Sequence, residues 1–128
     1  MAKSSIKVSS RKAKGRQLQD WTCNKIAEVI NLPCGKSDDH EVKPRPMGQT
    51  GPDIILSERA RKLFPFTVEC KNQKRWAILD FIEQVKANLY ENTDWLLVLK
   101  RSGRTKTEKT KEIVVLDAEV FFSILKRG

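Results

Sequence analysis

Hydrophobic positions along the 128-residue chain change period several times, and each change marks an element. Over residues 17–32, Leu18, Trp21, Ile26, Val29 and Ile30 recur at helical spacing, which predicts a helix with one apolar face. Pro33 and the Cys34-Gly35 pair after it end that helix. Ser37-Asp38-Asp39 is a polar turn, and residues 40–45 read as a short edge strand, where Pro44 is tolerated. Two strands follow, over 52–56 and 66–71, and residues 58–63 between them suit one helical turn. Residues 77–92 form a second long helix, with Ile78, Leu79, Ile82, Val85 and Leu89 near one face. The unbroken apolar run in DWLLVLK (94–100) predicts a buried strand. Residues 113–116 form a last strand, and residues 118–125 a closing helix with Phe121, Phe122 and Leu125 turned inward. The order is helix, three strands, helix, two strands, helix (α-β-β-β-α-β-β-α). It describes a mixed α/β domain with a central sheet flanked by helices.

Charge adds a partner to this outline. The chain carries 25 Lys and Arg against 16 Asp and Glu, a net charge of +9 and a pI near 9.7. Such an excess points to a polyanion, here nucleic acid. Residues 1–16 hold Lys3, Lys7, Arg11, Lys12, Lys14 and Arg16, several serines and no acid. That composition builds no core, so residues 1–15 read as a disordered basic arm that tracks phosphates, ahead of a single domain over 16–128. The threonine-rich stretch 101–111, with Arg101, Arg104 and Lys106, reads as a DNA-gripping loop or a plain solvated hairpin loop. Lys74 and Arg75 are further candidate phosphate contacts, or a solvated helix start. No run is apolar and long enough to span a membrane, and no signal-peptide core opens the chain. Cys23, Cys34 and Cys70 are odd in number and lack C-x-x-C spacing, which argues for reduced thiols and a cytoplasmic setting. Zinc on Cys23, Cys34 and His40 would match no common spacing.

Chemistry concentrates between residues 51 and 76. Side chains alternate along a strand. In 66–71, Phe66, Val68 and Cys70 therefore share an apolar face, and Thr67, Glu69 and Lys71 share the other. Asp53 opens the preceding strand, and a hairpin would bring it beside Glu69. Without a cation, two facing carboxylates repel. Magnesium takes one or two carboxylates and leaves room for water and a substrate phosphate, so Asp53 and Glu69 suit Mg2+, with Mn2+ as a substitute. Lys71 would then position the attacking water or stabilise charge on the phosphate. Gln73 falls on the Glu69 face if the strand continues, where it would hold water or phosphate. The same residues also have plain structural readings: Asp53 as a turn residue and Glu69-x-Lys71 as a solvated face.

Pro52-Asp53 followed by Glu69-Cys70-Lys71 resembles the PD-(D/E)XK nuclease superfamily, the restriction-endonuclease-like fold. The segments 47–51 and 72–73 look similar to its small phage-borne and Holliday-junction-resolvase-like members. The resemblance implies a metal-dependent endodeoxyribonuclease with Asp53, Glu69 and the Cys70 backbone carbonyl as ligands. It also implies a homodimer or higher homo-oligomer that prefers branched DNA. Relatives place a glutamate on the first helix, where this chain offers Gln19, and a glutamine on the second long helix, here Gln84. A non-catalytic DNA-binding protein on the same fold, or a basic RNA-binding protein, would also explain the charge.

Overall fold

In the computed structural model, which describes residues 2–103 and 105–127 and the side chains from residue 11 onward, the order is α1 (Ala2–Ile30), β1 (Val42–Pro44), β2 (Ile54–Leu56), α2 (Glu58–Leu63), β3 (Phe66–Asn72), α3 (Ile78–Lys86), β4 (Asp94–Lys100), β5 (Ile113–Leu116) and α4 (Ala118–Arg127). The mixed α/β class holds, but the strands form two small sheets rather than one central sheet, β2 pairs with β1 instead of forming a hairpin with β3, and the turn expected over 58–63 is the short helix α2. Ser57 caps α2, its hydroxyl accepting from the Ala60 N–H at 3.0 Å.

β1 and β2 pair antiparallel, with Val42 opposite Leu56. β3, β4 and β5 form a second sheet, in which β3 and β4 run parallel and β4 and β5 antiparallel. A bond from the Asp53 N–H to the Val68 carbonyl, 3.1 Å, links the end of the hairpin to β3. The run in β4 is buried from both sides. Leu96 and Val98 join Leu18, Ile26, Phe66 and Val68 in the core beneath α1. Leu97 and Leu99 join Phe81 and Val85 beneath α3. Helices thus cover both faces of the β3–β4 pair, which a parallel pair requires.

α1 departs from expectation in three ways. It continues back through the segment read as an unstructured arm, because no proline precedes Pro33 and alanine, lysine and arginine are good helix formers. Its inward face is Leu18, Thr22, Cys23 and Ile26, while Trp21 is 39% exposed and Val29 is 73% exposed. The face is rotated because Thr22 satisfies its hydroxyl locally, donating to the Leu18 carbonyl at 2.8 Å, and can therefore be buried. The helix stops at Asn31, whose φ of 57° is a left-handed conformation that asparagine tolerates. Third, Cys23 and Cys34 form a disulfide, with Cα atoms 6.2 Å apart. The turn at Asn31–Pro33 folds the chain back and brings together cysteines that sequence spacing does not pair. Both thiols are consumed, which removes the zinc alternative and the cysteine-based argument for a reducing compartment. No helix among the described residues is long and apolar enough to cross a membrane.

The other helices differ in length and phase. α3 ends at Lys86 rather than 92, and its buried residues are Phe81 and Val85, whereas Leu79 is 78% exposed. α4 buries none of its residues completely: Phe121, Phe122 and Leu125 are 45%, 64% and 59% exposed, contrary to the inward face expected of them. Of α4, Val120 packs against the core beneath α1.

Candidate active site

The Pro52-Asp53 corner is held from several sides. Gly51 has φ of 133°, a region that favours glycine, and a Cβ there would strike the Arg45 guanidinium. Arg45 donates through its backbone N–H to the Asp53 carbonyl at 2.8 Å and through Nε to the Pro52 carbonyl. Its Nη2 reaches the Tyr90 hydroxyl at 3.5 Å, and the Arg61 guanidinium stacks over the Tyr90 ring at 4.8 Å. The 47–51 loop is therefore shaped by turn geometry and by Arg45, whose role needs partners that are distant in sequence.

Asp53 is docked onto β3. Its backbone N–H bonds the Val68 carbonyl, and its Oδ2 accepts from the Cys70 N–H at 2.7 Å. The backbone groups of alternate residues face the same strand edge, so the Cys70 carbonyl faces the Asp53 edge too. Glu69 lies on the opposite face of β3 from the Cys70 thiol and is 9% exposed. Lys71 Nζ sits 3.7 Å from Glu69 Oε1 and 5.3 Å over the Phe81 ring, so α3 supplies a cation–π seat for the lysine. Burial raises the Glu69 carboxyl, the neighbouring Asp53 carboxylate raises it further, and Lys71 offsets part of this, leaving it pushed up to about 7. Two carboxyl groups and a lysine are thus brought together, with one carboxyl short of positive charge.

The Cys70 thiol faces α1, against the Thr22 hydroxyl at 3.6 Å, and burial pushes its pKa upward, so it is no nucleophile. β3 ends at Asn72, but the Gln73 N–H continues the ladder to the Lys100 carbonyl at 3.1 Å, and the Gln73 side chain is exposed. Gln19 is half-buried on α1, and Gln84 is exposed on α3. Lys12, Arg16, Lys74, Arg75 and Lys106 are exposed, and Lys14 is half-buried. Arg101 is half-buried, with its Nε enclosed and without a hydrogen-bond partner. Arg104 lies outside the described residues, as do the side chains of Lys3 and Lys7.

Asn72 is a junction that no sequence pattern marks. Its amide donates to the Lys14 carbonyl at 3.3 Å and accepts from the Ser102 hydroxyl at 2.8 Å. It ties α1 and the loop after β4 to the strand that carries Glu69 and Lys71. A cleft of about 510 Å³ lies elsewhere, between Glu58, Arg61, Lys62, Pro65, Glu91 and Asn92, and holds none of the site residues.

Among the described residues no cluster of three or more His, Cys, Asp and Glu is placed to hold a metal ion. Asp53 and Glu69 still fit a magnesium-type site, which needs only one or two carboxylates. The raised Glu69 pKa comes first from burial and then from the neighbouring Asp53 carboxylate. No family model, no curated protein sequence and no solved structure matches the chain.

Proposed function

We propose that the chain is a metal-dependent endodeoxyribonuclease whose site is Asp53, Glu69 and Lys71, of the PD-(D/E)XK kind. The observation that carries the proposal is the meeting, on one strand and its neighbouring corner, of a docked Asp53, a buried Glu69 near pKa 7 and a Lys71 seated 3.7 Å from it. Perturbed ionisable groups of this sort are typical of catalytic centres. Asp53 and Glu69, with the Cys70 carbonyl on the same edge as Asp53, would hold Mg2+ or Mn2+. A bound cation of this class supplies polarisation of a phosphoryl oxygen and acidifies water. Asp53 Oδ2 is fixed by the Cys70 N–H, which sets the orientation of its carboxylate. Lys71, held over Phe81, orients the attacking water and stabilises charge that develops on the phosphate. Gln73 and Gln84, both exposed, would serve as accessory contacts, and Gln19 as a neutral stand-in on α1.

Basic groups, several of them exposed, would supply the DNA surface. Lys12, Lys14 and Arg16 on α1, Lys74 and Arg75 beyond β3, and Arg101, Arg104 and Lys106 in the following loop would contact phosphates. Phosphate contacts position a protein without reading bases, so the cleavage would select DNA structure over sequence. The proposal includes a cytoplasmic location and a homodimer. Phe121, Phe122, Ile124 and Leu125 of α4 with Ile113 and Val114 of β5 are each at least 39% exposed. Ile113 and Val114 face opposite sides of β5, so the surface a second copy would cover is chiefly that of α4, about 400 Å² of apolar area, within the range a monomer shows. A second copy is the occupant that gives opposed sites for cutting two strands.

The test is incubation with plasmid, linear duplex, single strands and a four-way junction, with Mg2+ or with chelator. The expected result is cation-dependent internal cleavage, fastest on the junction. DNA binding without cleavage of any substrate would favour a non-catalytic DNA-binding protein instead.

A further inference from the structure

A second cleft, of about 210 Å³, opens at the carboxyl ends of β3 and β4, against α1. Its walls include Gln17 and Trp21 from α1, Asn72 from β3, Lys100 from β4, and Ser102 and Glu112 from the loop between β4 and β5. In open α/β sheets this end of parallel strands is where ligands bind. Trp21 belongs to neither core cluster and is 39% exposed, an unusual position for a tryptophan on the helix that covers the sheet. Besides Leu18, the other walls are polar: an amide from Gln17, a hydroxyl from Ser102, and the Lys100–Glu112 ion pair at 3.5 Å. Asn72 braces the cleft through its bonds to the Lys14 carbonyl and to Ser102.

We infer that this cleft takes a single unpaired nucleobase, stacked on Trp21, from the same DNA whose backbone is cut beside Lys71. The inference rests on the nuclease reading for its substrate. The cleft holds about seven waters' worth of space at ~30 Å³ each, and falls below the ~300 Å³ of drug-sized ligand sites. That suits one flat base and excludes a base pair. Every base has a π-face, so stacking on an aromatic ring is tolerant of sequence. A base inside a duplex presents no free face, so occupancy requires a single strand, a bulge or a branch point. Asn72 follows Glu69 by three residues, ~10 Å along β3, but on the α1 face, whereas Glu69 and Lys71 lie on the α3 face, so the cleft is reached around the carboxyl end of the strand. The base it takes therefore belongs to a nucleotide a few positions away from the scissile phosphate. Exposed Lys12 and Arg16 on α1 lie close in sequence to the cleft wall and attract the backbone that delivers the base. The cleft thereby gives a physical source for preferring branched over fully paired DNA.

Binding of the full chain is measured by fluorescence anisotropy in chelator, so that no DNA is cut. Three DNAs are compared: a duplex, the same duplex with one unpaired nucleotide, and the same with an abasic site at the unpaired position. The base-bearing bulge should bind about 5- to 150-fold tighter than the abasic one. Trp21→Ala should erase that ratio and leave duplex affinity unchanged, while Trp21→Phe should retain most of it. Equal affinity of the wild-type chain for the base-bearing and abasic bulges overturns the inference without recourse to any variant. So does a Trp21→Ala loss that falls equally on the duplex. The outcomes separate the two proposals: a chain that discriminates the base but cuts nothing in Mg2+ loses the nuclease reading alone. One that cuts but does not discriminate loses the base cleft alone.

Discussion

Glu69 is where burial and charge compete most directly. Its carboxyl has an ordinary value of 4.5 and is held near 7 in the fold, first by burial and then by Asp53. Between those pH values the folded chain binds more proton than the unfolded chain. The group's stabilising contribution is therefore complete below about pH 4.5 and is lost as pH rises through 7. The loss is at most on the order of 3 kcal/mol. In chelator, the melting temperature should fall between pH 5 and 8, and Glu69→Gln should flatten that fall. Mg2+ should raise the melting temperature more at pH 8 than at pH 5.5, since it relieves the repulsion only where both carboxylates are charged. A wild-type melting temperature that rises from pH 5 to 8 in chelator would contradict this picture of the pair. At this scale the alternation of residues 66–71 made Glu69 and Lys71 readable, because a strand's period assigns faces without knowledge of partners. Arg45, Asn72 and Trp21 were not readable. Their importance depends on Pro52 and Tyr90, on Lys14 and Ser102, and on a cleft wall made by a distant loop.

At the scale of elements, strands were legible and helix faces less so. β4 and β5 have the boundaries that their apolar runs predict, since each run is bounded by charged residues; β4 is filled on both sides, whereas Ile113 and Val114 of β5 stay exposed. Helices α1 and α3 turned by about one residue relative to the apolar pattern. Thr22 could go inward by bonding its own helix, and Phe81 outweighed Leu79 because it both fills the core beneath α3 and seats Lys71. The disulfide was invisible because the turn at Asn31 that brings Cys34 back to Cys23 is a property of the folded chain. The backward extension of α1 has a consequence for binding. Removing residues 1–10 deletes Lys3 and Lys7 but leaves the Lys14 carbonyl that anchors Asn72. The slope of log affinity against log salt should flatten by up to about two, at ~0.9 for each phosphate that is no longer neutralised. The melting temperature should hold, since the core beneath α1 begins at Leu18. An unchanged salt slope would show that the first turns of α1 touch no phosphates.

For the molecule as a whole, the proposed dimer would join the apolar surface of α4 to the single candidate site per chain. Phe122 is 64% exposed and makes an edge contact with Phe121 at 5.3 Å. Phe122→Glu should convert a dimer into a monomer in sedimentation without lowering the melting temperature of the single chain. It should also slow double-strand cleavage more than nicking, because only the pairing of two sites is removed. A wild-type chain that sediments as a monomer at every concentration would remove the dimer and leave the site intact. The central claim is that Asp53, Glu69 and Lys71 form one hydrolytic centre, and its most direct test is the initial rate of plasmid cleavage in Mg2+ at saturating protein. Wild type, Asp53→Asn and Lys71→Met are compared after anisotropy has shown equal DNA binding. Asp53→Asn should reduce cleavage to the level seen in chelator, and Lys71→Met should slow it by roughly 100-fold or more. Cleavage by either variant at the wild-type rate would contradict the assignment.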